Sequence, residues 1–206
     1  MSKPRILVSR AIFPDIVDRL RTHFDVEDNP DDVIWTPAEL AARLADKDGV
    51  FTTGSQRIDA ALIAAAPRLK IVANMAVGYN NFDVDAMTAA GVQGTNTPDV
   101  LTETTADFGF ALLMATARRI TESEHYLRAG KWTTWRYDMF AGSDIHGSTL
   151  GIIGMGRIGQ GIAKRGAHGF GMNVVYHNRS RLAPALEPEC KARYVEKDVL
   201  LRTADH

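Results

Sequence analysis

The residues with the clearest chemical meaning are three glycines, Gly154-Met-Gly156-Arg-Ile-Gly159, which follow the apolar run Leu150-Gly-Ile-Ile153 and open a segment with small residues at Gly161 and Ala163. A G-x-G-x-x-G pattern placed between a strand and a helix is built to receive a pyrophosphate. Each glycine serves differently. Gly154 permits the tight turn, Gly156 lets the main chain approach the phosphates, and Gly159 lets the helix lie close on the strand. The N–H groups of Arg157 and Ile158 then face the ligand from the positive end of the helix. Ten of the seventeen glycines fall between Gly142 and Gly171. For Gly161, Gly166 and Gly169, which have no place in the pattern, packing is the expected reason.

A second strand, Met172-Asn-Val-Val-Tyr-His177, ends in Asn178-Arg179-Ser180-Arg181. About twenty residues past the last glycine, an NAD site places a carboxylate for the ribose 2′-hydroxyl. Two guanidiniums and a hydroxyl in that place suit a phosphate monoester, which a carboxylate would repel. NADP(H) is therefore the expected cofactor ahead of NAD(H), with Asn178, Arg179, Ser180 and Arg181 as its contacts.

The elements that must position these residues are read from periodicity. Short β-branched runs alternate with amphipathic segments about five times before residue 100, beginning with Arg5 to Ser9 and a helix from Pro14. This alternation predicts an α/β fold with a parallel sheet covered on both faces. A longer helix is expected from about Leu101 to Ile120, bridging two domains. After it, residues 121 to 147 read as an irregular arm with Trp132, Trp135, Tyr137, Met139 and Phe140. Those aromatics either cover the chain's own core or form a subunit interface, where such residues are enriched.

Composition narrows the class of partner. Twenty-four Lys plus Arg against 25 Asp plus Glu in 206 residues give a formal charge of -1, with no basic field for nucleic acid. The longest apolar stretch, Phe108 to Ala117, is too short for the roughly 20 residues that cross a bilayer, so no membrane partner is expected. A lone Cys190 can form neither an intrachain disulfide nor a multi-cysteine metal site, which points to a cytoplasmic protein with no metal.

The order of the motifs is itself distinctive. An α/β module is followed by Asn74-Met-Ala-Val77-Gly78-Tyr-Asn-Asn-Phe-Asp83, then Asn96-Thr-Pro-Asp-Val-Leu-Thr-Glu-Thr-Thr-Ala-Asp107, then the glycine fingerprint. This resembles the D-isomer-specific 2-hydroxyacid dehydrogenases, in particular the glyoxylate/hydroxypyruvate reductase branch, with Asn80 where many members have Asp. The resemblance implies a flavodoxin-like substrate domain over residues 1–99 and the front part of a Rossmann dinucleotide-binding domain over 100–206. It implies a cleft in which hydride passes between a nicotinamide and C2 of a small 2-keto or 2-hydroxy acid. It also implies that the main-chain N–H groups of Val77 and Gly78 hold the substrate carboxylate, that Thr105 lies near the nicotinamide, and that the protein is a homodimer. Thr105 is equally suited to capping a helix.

The family's catalytic Arg, Glu and His lie in motifs downstream of the stretch resembling Asp198 to Asp205, so no catalytic residue is assigned. None of His23, His125, His146, His168, His177 and His206 sits in a matching motif. The chain reads as the front part of a longer, incomplete Rossmann enzyme. The alternative on the same scaffold is a nucleotide-sensing binding protein resembling the corepressors related to these dehydrogenases.

Overall fold

The computed structural model describes residues 2–206, which fall into two compact units, residues 2–99 and residues 100–206. In the first, β1 (Arg5–Val8), α1 (Pro14–His23), β2 (Asp25–Glu27), α2 (Pro37–Leu44), β3 (Gly49–Thr52), α3 (Ala60–Ala65), β4 (Ile71–Asn74), α4 (Val84–Ala89) and β5 (Gln93–Thr95) alternate strictly. The five strands are all parallel, in the order β2-β1-β3-β4-β5. That is the doubly wound, flavodoxin-like order, in which ligands bind beyond the carboxyl ends of the strands.

Local chemistry starts the helices. Pro37 opens α2 behind Thr36, whose hydroxyl accepts from the Glu39 N–H while the Glu39 carboxylate accepts from the Thr36 N–H. Asp59 and Asp83 cap α3 and α4 in the same sense. Leu7, Val50 and Val72 of the central strands are buried against Leu40, Leu44 and Leu62 of the covering helices. This explains why those strands read as continuous apolar runs rather than alternating ones.

In the second unit, α5 (Thr102–Ala117) and α6 (Ile120–Arg128) precede β6 (Thr149–Ile153), α7 (Arg157–Lys164), a π-helical turn (Arg165–Gly169), β7 (Asn173–His177), α8 (Leu186–Cys190), β8 (Ala192–Tyr194) and α9 (Lys197–Thr203). The strands are parallel in the order β6-β7-β8. Helix α5, expected to bridge two domains, lies wholly in this unit and packs on α7. A methyl on Gly161 would sit 2.8 Å from Ala106 Cβ, and one on Gly109 would sit 2.9 Å from Ile162 Cδ1. These glycines let the two helices touch. Arg165 locks the contact by pairing with Glu103 at 2.9 Å and with Asp107.

Two further expectations are corrected. The arm is not irregular from residue 121. Arg119, at φ 53, turns the chain after α5, and a second helix restarts with Glu122 in its first turn and Arg128 in its last. Among the extra glycines, packing accounts for Gly161 and for Gly166, where a methyl would meet Leu150 Cδ2 at 2.9 Å, but nothing in the structure explains Gly169.

Candidate functional site

Between β6 and α7 the chain turns at Gly154, whose φ of 101 is open only to glycine without strain. Its N–H donates to His177 O at 3.0 Å, tying the turn to the end of β7. The next N–H, of Met155, donates to Asn178 Oδ1 at 2.6 Å, and the Met155 side chain is fully buried. The loop is thus held from below by the core and from the side by Asn178. Gly159 does what its position in the pattern demands: a methyl there would meet Gly154 O well inside 3.0 Å.

Gly156 differs from both. Its backbone, at φ -76 and ψ -165, is extended and suits any residue, and a methyl there would meet no protein atom within 4 Å. The chain's own packing gives no reason for glycine at 156. The space beside it is open. Gly156 also lies at the start of α7, which no side chain caps, so the positive end of the helix opens toward the same space.

That space is a groove of about 570 Å³. Gly154, Gly156, Asn178, Arg179 and Ser180 line it, together with Ile153, His177 and Lys197. Its wall holds two cationic side chains and no carboxylate, and neither Arg179 nor Lys197 forms an ion pair among the described residues. Lys197 escaped the sequence reading. It lies 18 positions beyond Arg179 and reaches the groove only because α9 starts just after β8, which is paired parallel to β7. The residues therefore fit a nicotinamide dinucleotide, with glycine main chain and a helix start for the pyrophosphate and cations beside them for its negative charge.

Five expected contacts, Thr105, Arg157, Ile158, Gly159 and Arg181, fall outside the groove lining. Arg157 and Ile158 lie on the first turn of α7, where the main chain rather than the side chain would serve. Arg181 turns away and forms a two-pronged pair with Glu187, at 2.7 and 2.8 Å. Glu187 also accepts from the hydroxyl of the buried Tyr176 at 2.7 Å. The Arg181 guanidinium and then the Tyr176 hydroxyl hold the Glu187 carboxyl at about 2, against an ordinary 4.5. Thr105, half-buried, sits in the first turn of α5 and donates its N–H to Leu101 O at 2.9 Å. Leu101 is the capping residue, so Thr105 is not the helix cap.

In the first unit, Val77 and Gly78 lie in the loop after β4, at the carboxyl end of the sheet. Val77 O accepts from Asn96 Nδ2 at 2.8 Å and Gly78 O accepts from Asn74 Nδ2 at 3.0 Å. Neither residue's N–H donates within the described residues. The arrangement presents two backbone donors with their carbonyls turned inward.

A family model described as "D-isomer specific 2-hydroxyacid dehydrogenase, catalytic domain" matches residues 6–197. The chain belongs to this family. Among curated relatives of this chain, the glyoxylate reductase of Thermococcus kodakarensis is 45% identical over 207 residues, and that of Aeropyrum pernix is 43% identical over 215. A solved protein of Thermus thermophilus is 40% identical with a TM-score of 0.86, and a glyoxylate reductase from Paecilomyes thermophila is 30% identical with a TM-score of 0.82. The matches cover 98% or 100% of this chain and 62% to 64% of each of those four proteins. The chain thus spans about 62% of the length of the curated relatives. The resemblance to the glyoxylate reductase branch, and the α/β fold it implied, are borne out.

Proposed function

We propose that the full-length protein is a nicotinamide-dependent reductase of a small 2-keto acid, glyoxylate or hydroxypyruvate, and that it prefers NADPH to NADH. The observation that carries the reading is the groove beside Gly156. It pairs a glycine needed by no internal contact with a wall bearing Arg179, Ser180 and Lys197 and no carboxylate. Residues 1–99 serve as the substrate domain, with the N–H groups of Val77 and Gly78 on the substrate carboxylate. Residues 100–206 serve the nucleotide, with the α7 start on the pyrophosphate and Thr105 near the nicotinamide. The dinucleotide supplies the hydride; the chain's own residues bind and orient.

Arg179 and Lys197 would share the ribose 2′-phosphate, Asn178 would hold the loop, and Arg181 has no part in it. The names of the relatives point to the reductase and lend nothing to the corepressor alternative. Steady-state kcat/KM for glyoxylate and hydroxypyruvate with each cofactor tests the reading. A higher kcat/KM with NADH than with NADPH would sink the preference, and no turnover with either would sink the activity.

A homodimer is part of the same proposal. Trp132, Trp135 and Tyr137 are 52%, 75% and 87% exposed, so they do not cover the chain's own core. Tyr126 and Phe140 of the same segment do pack on each other, ring centroids 5.2 Å apart. An exposed aromatic patch of this kind suits an interface with a second copy. Light scattering of the full-length protein at micromolar concentration decides it, a monomer counting against. Among the described residues no helix is long and apolar enough to cross a membrane. The proposed site of action is the cytoplasm, where a lone thiol such as Cys190 stays reduced.

A further inference from the structure

We infer that Asn74 and Asn96 are positioning residues for a carboxylate cradle at Val77–Gly78. The inference rests on the function proposed above and names the device that sets its substrate class. A trans peptide is planar, so its carbonyl and the following N–H point in opposite directions. Fixing one fixes the other. Three successive carbonyls in the loop after β4 are held from within the fold: Ala76 O accepts from the Thr97 N–H at 3.0 Å, Val77 O from Asn96 Nδ2 at 2.8 Å, and Gly78 O from Asn74 Nδ2 at 3.0 Å. The first two turn the N–H groups of Val77 and Gly78 away from the 96–97 segment. The third stops the peptide after Gly78 from rotating and undoing that arrangement.

The cost of this device is visible at Asn74. Its side chain is 2% exposed, and its Oδ1 has no hydrogen-bond partner. A buried acceptor left unmet is unusual and calls for a reason. Its Nδ2 supplies one, since it donates to Gly78 O and also lies 3.4 Å from Asn81 Oδ1. An apolar side chain of similar size would spare the orphaned oxygen but lose the grip on Gly78. A carboxylate would face Gly78 O with a lone pair. The amide is retained for its donor.

Two preorganised N–H donors at the carboxyl end of a parallel sheet suit a small carboxylate, and they exclude ligands that offer only donors. The test uses the full-length protein, with oxamate as an unreactive carboxylate probe measured by calorimetry and glyoxylate as the reacting one. Asn96→Ala removes the donor at a half-buried position where water can replace it on Val77 O, so the fold is retained; Asn74→Asp is the second variant. Loss of orientation at one charge-assisted bond corresponds to about tenfold weaker oxamate binding and about tenfold higher glyoxylate KM. The KM for the dinucleotide and the Tm of Asn96→Ala should stay near wild type, a split that a merely structural role would not give. Unchanged oxamate affinity in Asn96→Ala, or an equal rise in both KM values, overturns the inference, as does failure of the wild type to bind oxamate. Oxamate binding that weakens in the variants, in a wild type that reduces no keto acid, would uphold the cradle and overturn the reductase reading.

Discussion

Replacing Gly156 and Gly159 one at a time by alanine should separate binding from folding within a single turn. At Gly159 a methyl would meet the backbone oxygen of Gly154 well inside 3.0 Å and Ile152 Cγ2 at 3.3 Å. A main-chain oxygen in a turn held by His177 and Asn178 cannot swing aside. Helix α7 must therefore back off from β6, and overpacking of this kind costs about 1–3 kcal/mol. At roughly 2–4 °C per kcal/mol for a protein of this size, the Tm should fall by several degrees. At Gly156 nothing lies within 4 Å and the backbone is already extended. Alanine restricts the unfolded chain there, which offsets its poorer fit at a helix start, so the Tm should stay within about 2 °C. The same methyl projects into the groove where a pyrophosphate would approach, and the dinucleotide Kd should rise at least about tenfold, equivalent to about 1.4 kcal/mol. Thermal unfolding and NADPH fluorescence titration of the full-length variants provide the two readouts. A Gly156→Ala protein that binds NADPH as wild type does would refute the argument, because that position would then have no reason to be glycine inside the chain or outside it.

Arg179→Ala should weaken NADPH about ten- to a hundredfold, the worth of charge-assisted hydrogen bonds to a phosphate, and leave NADH nearly unchanged, as read by kcat/KM with each cofactor. Equal losses for both would assign the side chain to general docking. Lys197→Ala should act in the same direction with a smaller effect, since an ammonium meets a phosphate as a point charge without a fork. Arg181→Ala should instead lower the Tm slightly and leave the NADPH KM unchanged, because its partner is Glu187; a selective loss of NADPH would return Arg181 to the cofactor site. The Arg10 side chain, then the Ala11 N–H, hold the Asp32 carboxyl at about 2 against an ordinary 3.8. A lowered carboxylate stabilises the fold above its unfolded value, and that contribution is lost as pH falls through the folded one. Asp32→Asn, tolerable at φ 49, should therefore flatten the fall in urea midpoint between about pH 3.8 and 2; an unchanged slope would remove Asp32 as the source.

What the sequence disclosed depended on how local the signal was. The β-branched runs and the glycines at 154 and 159 state their structure within a few residues, so the parallel sheet and the turn before α7 were legible. Helix α6 was hidden because the glycines and aromatics downstream of it set the character of the whole segment. Its own marks, Glu122 in the first turn and the Glu124 to Arg128 pair at i, i+4, were present but short.

The cofactor end of the site shows where a one-dimensional reading fails for a physical reason. Arg179 and Arg181 are the same residue type two positions apart, and nothing in their immediate neighbours separates them. What separates them is Glu187, already engaged by the hydroxyl of Tyr176, a buried residue of β7, which captures Arg181 and leaves Arg179 on the groove. The lost cation is replaced by Lys197, which follows β8 in the chain and comes beside Arg179 through the parallel pairing of β7 with β8. The groove therefore carries two cations and no carboxylate, but only Arg179 of the two expected guanidiniums is among them. Charge composition at the end of β7 was readable from the chain; which cation lines the groove depended on contacts made across the sheet.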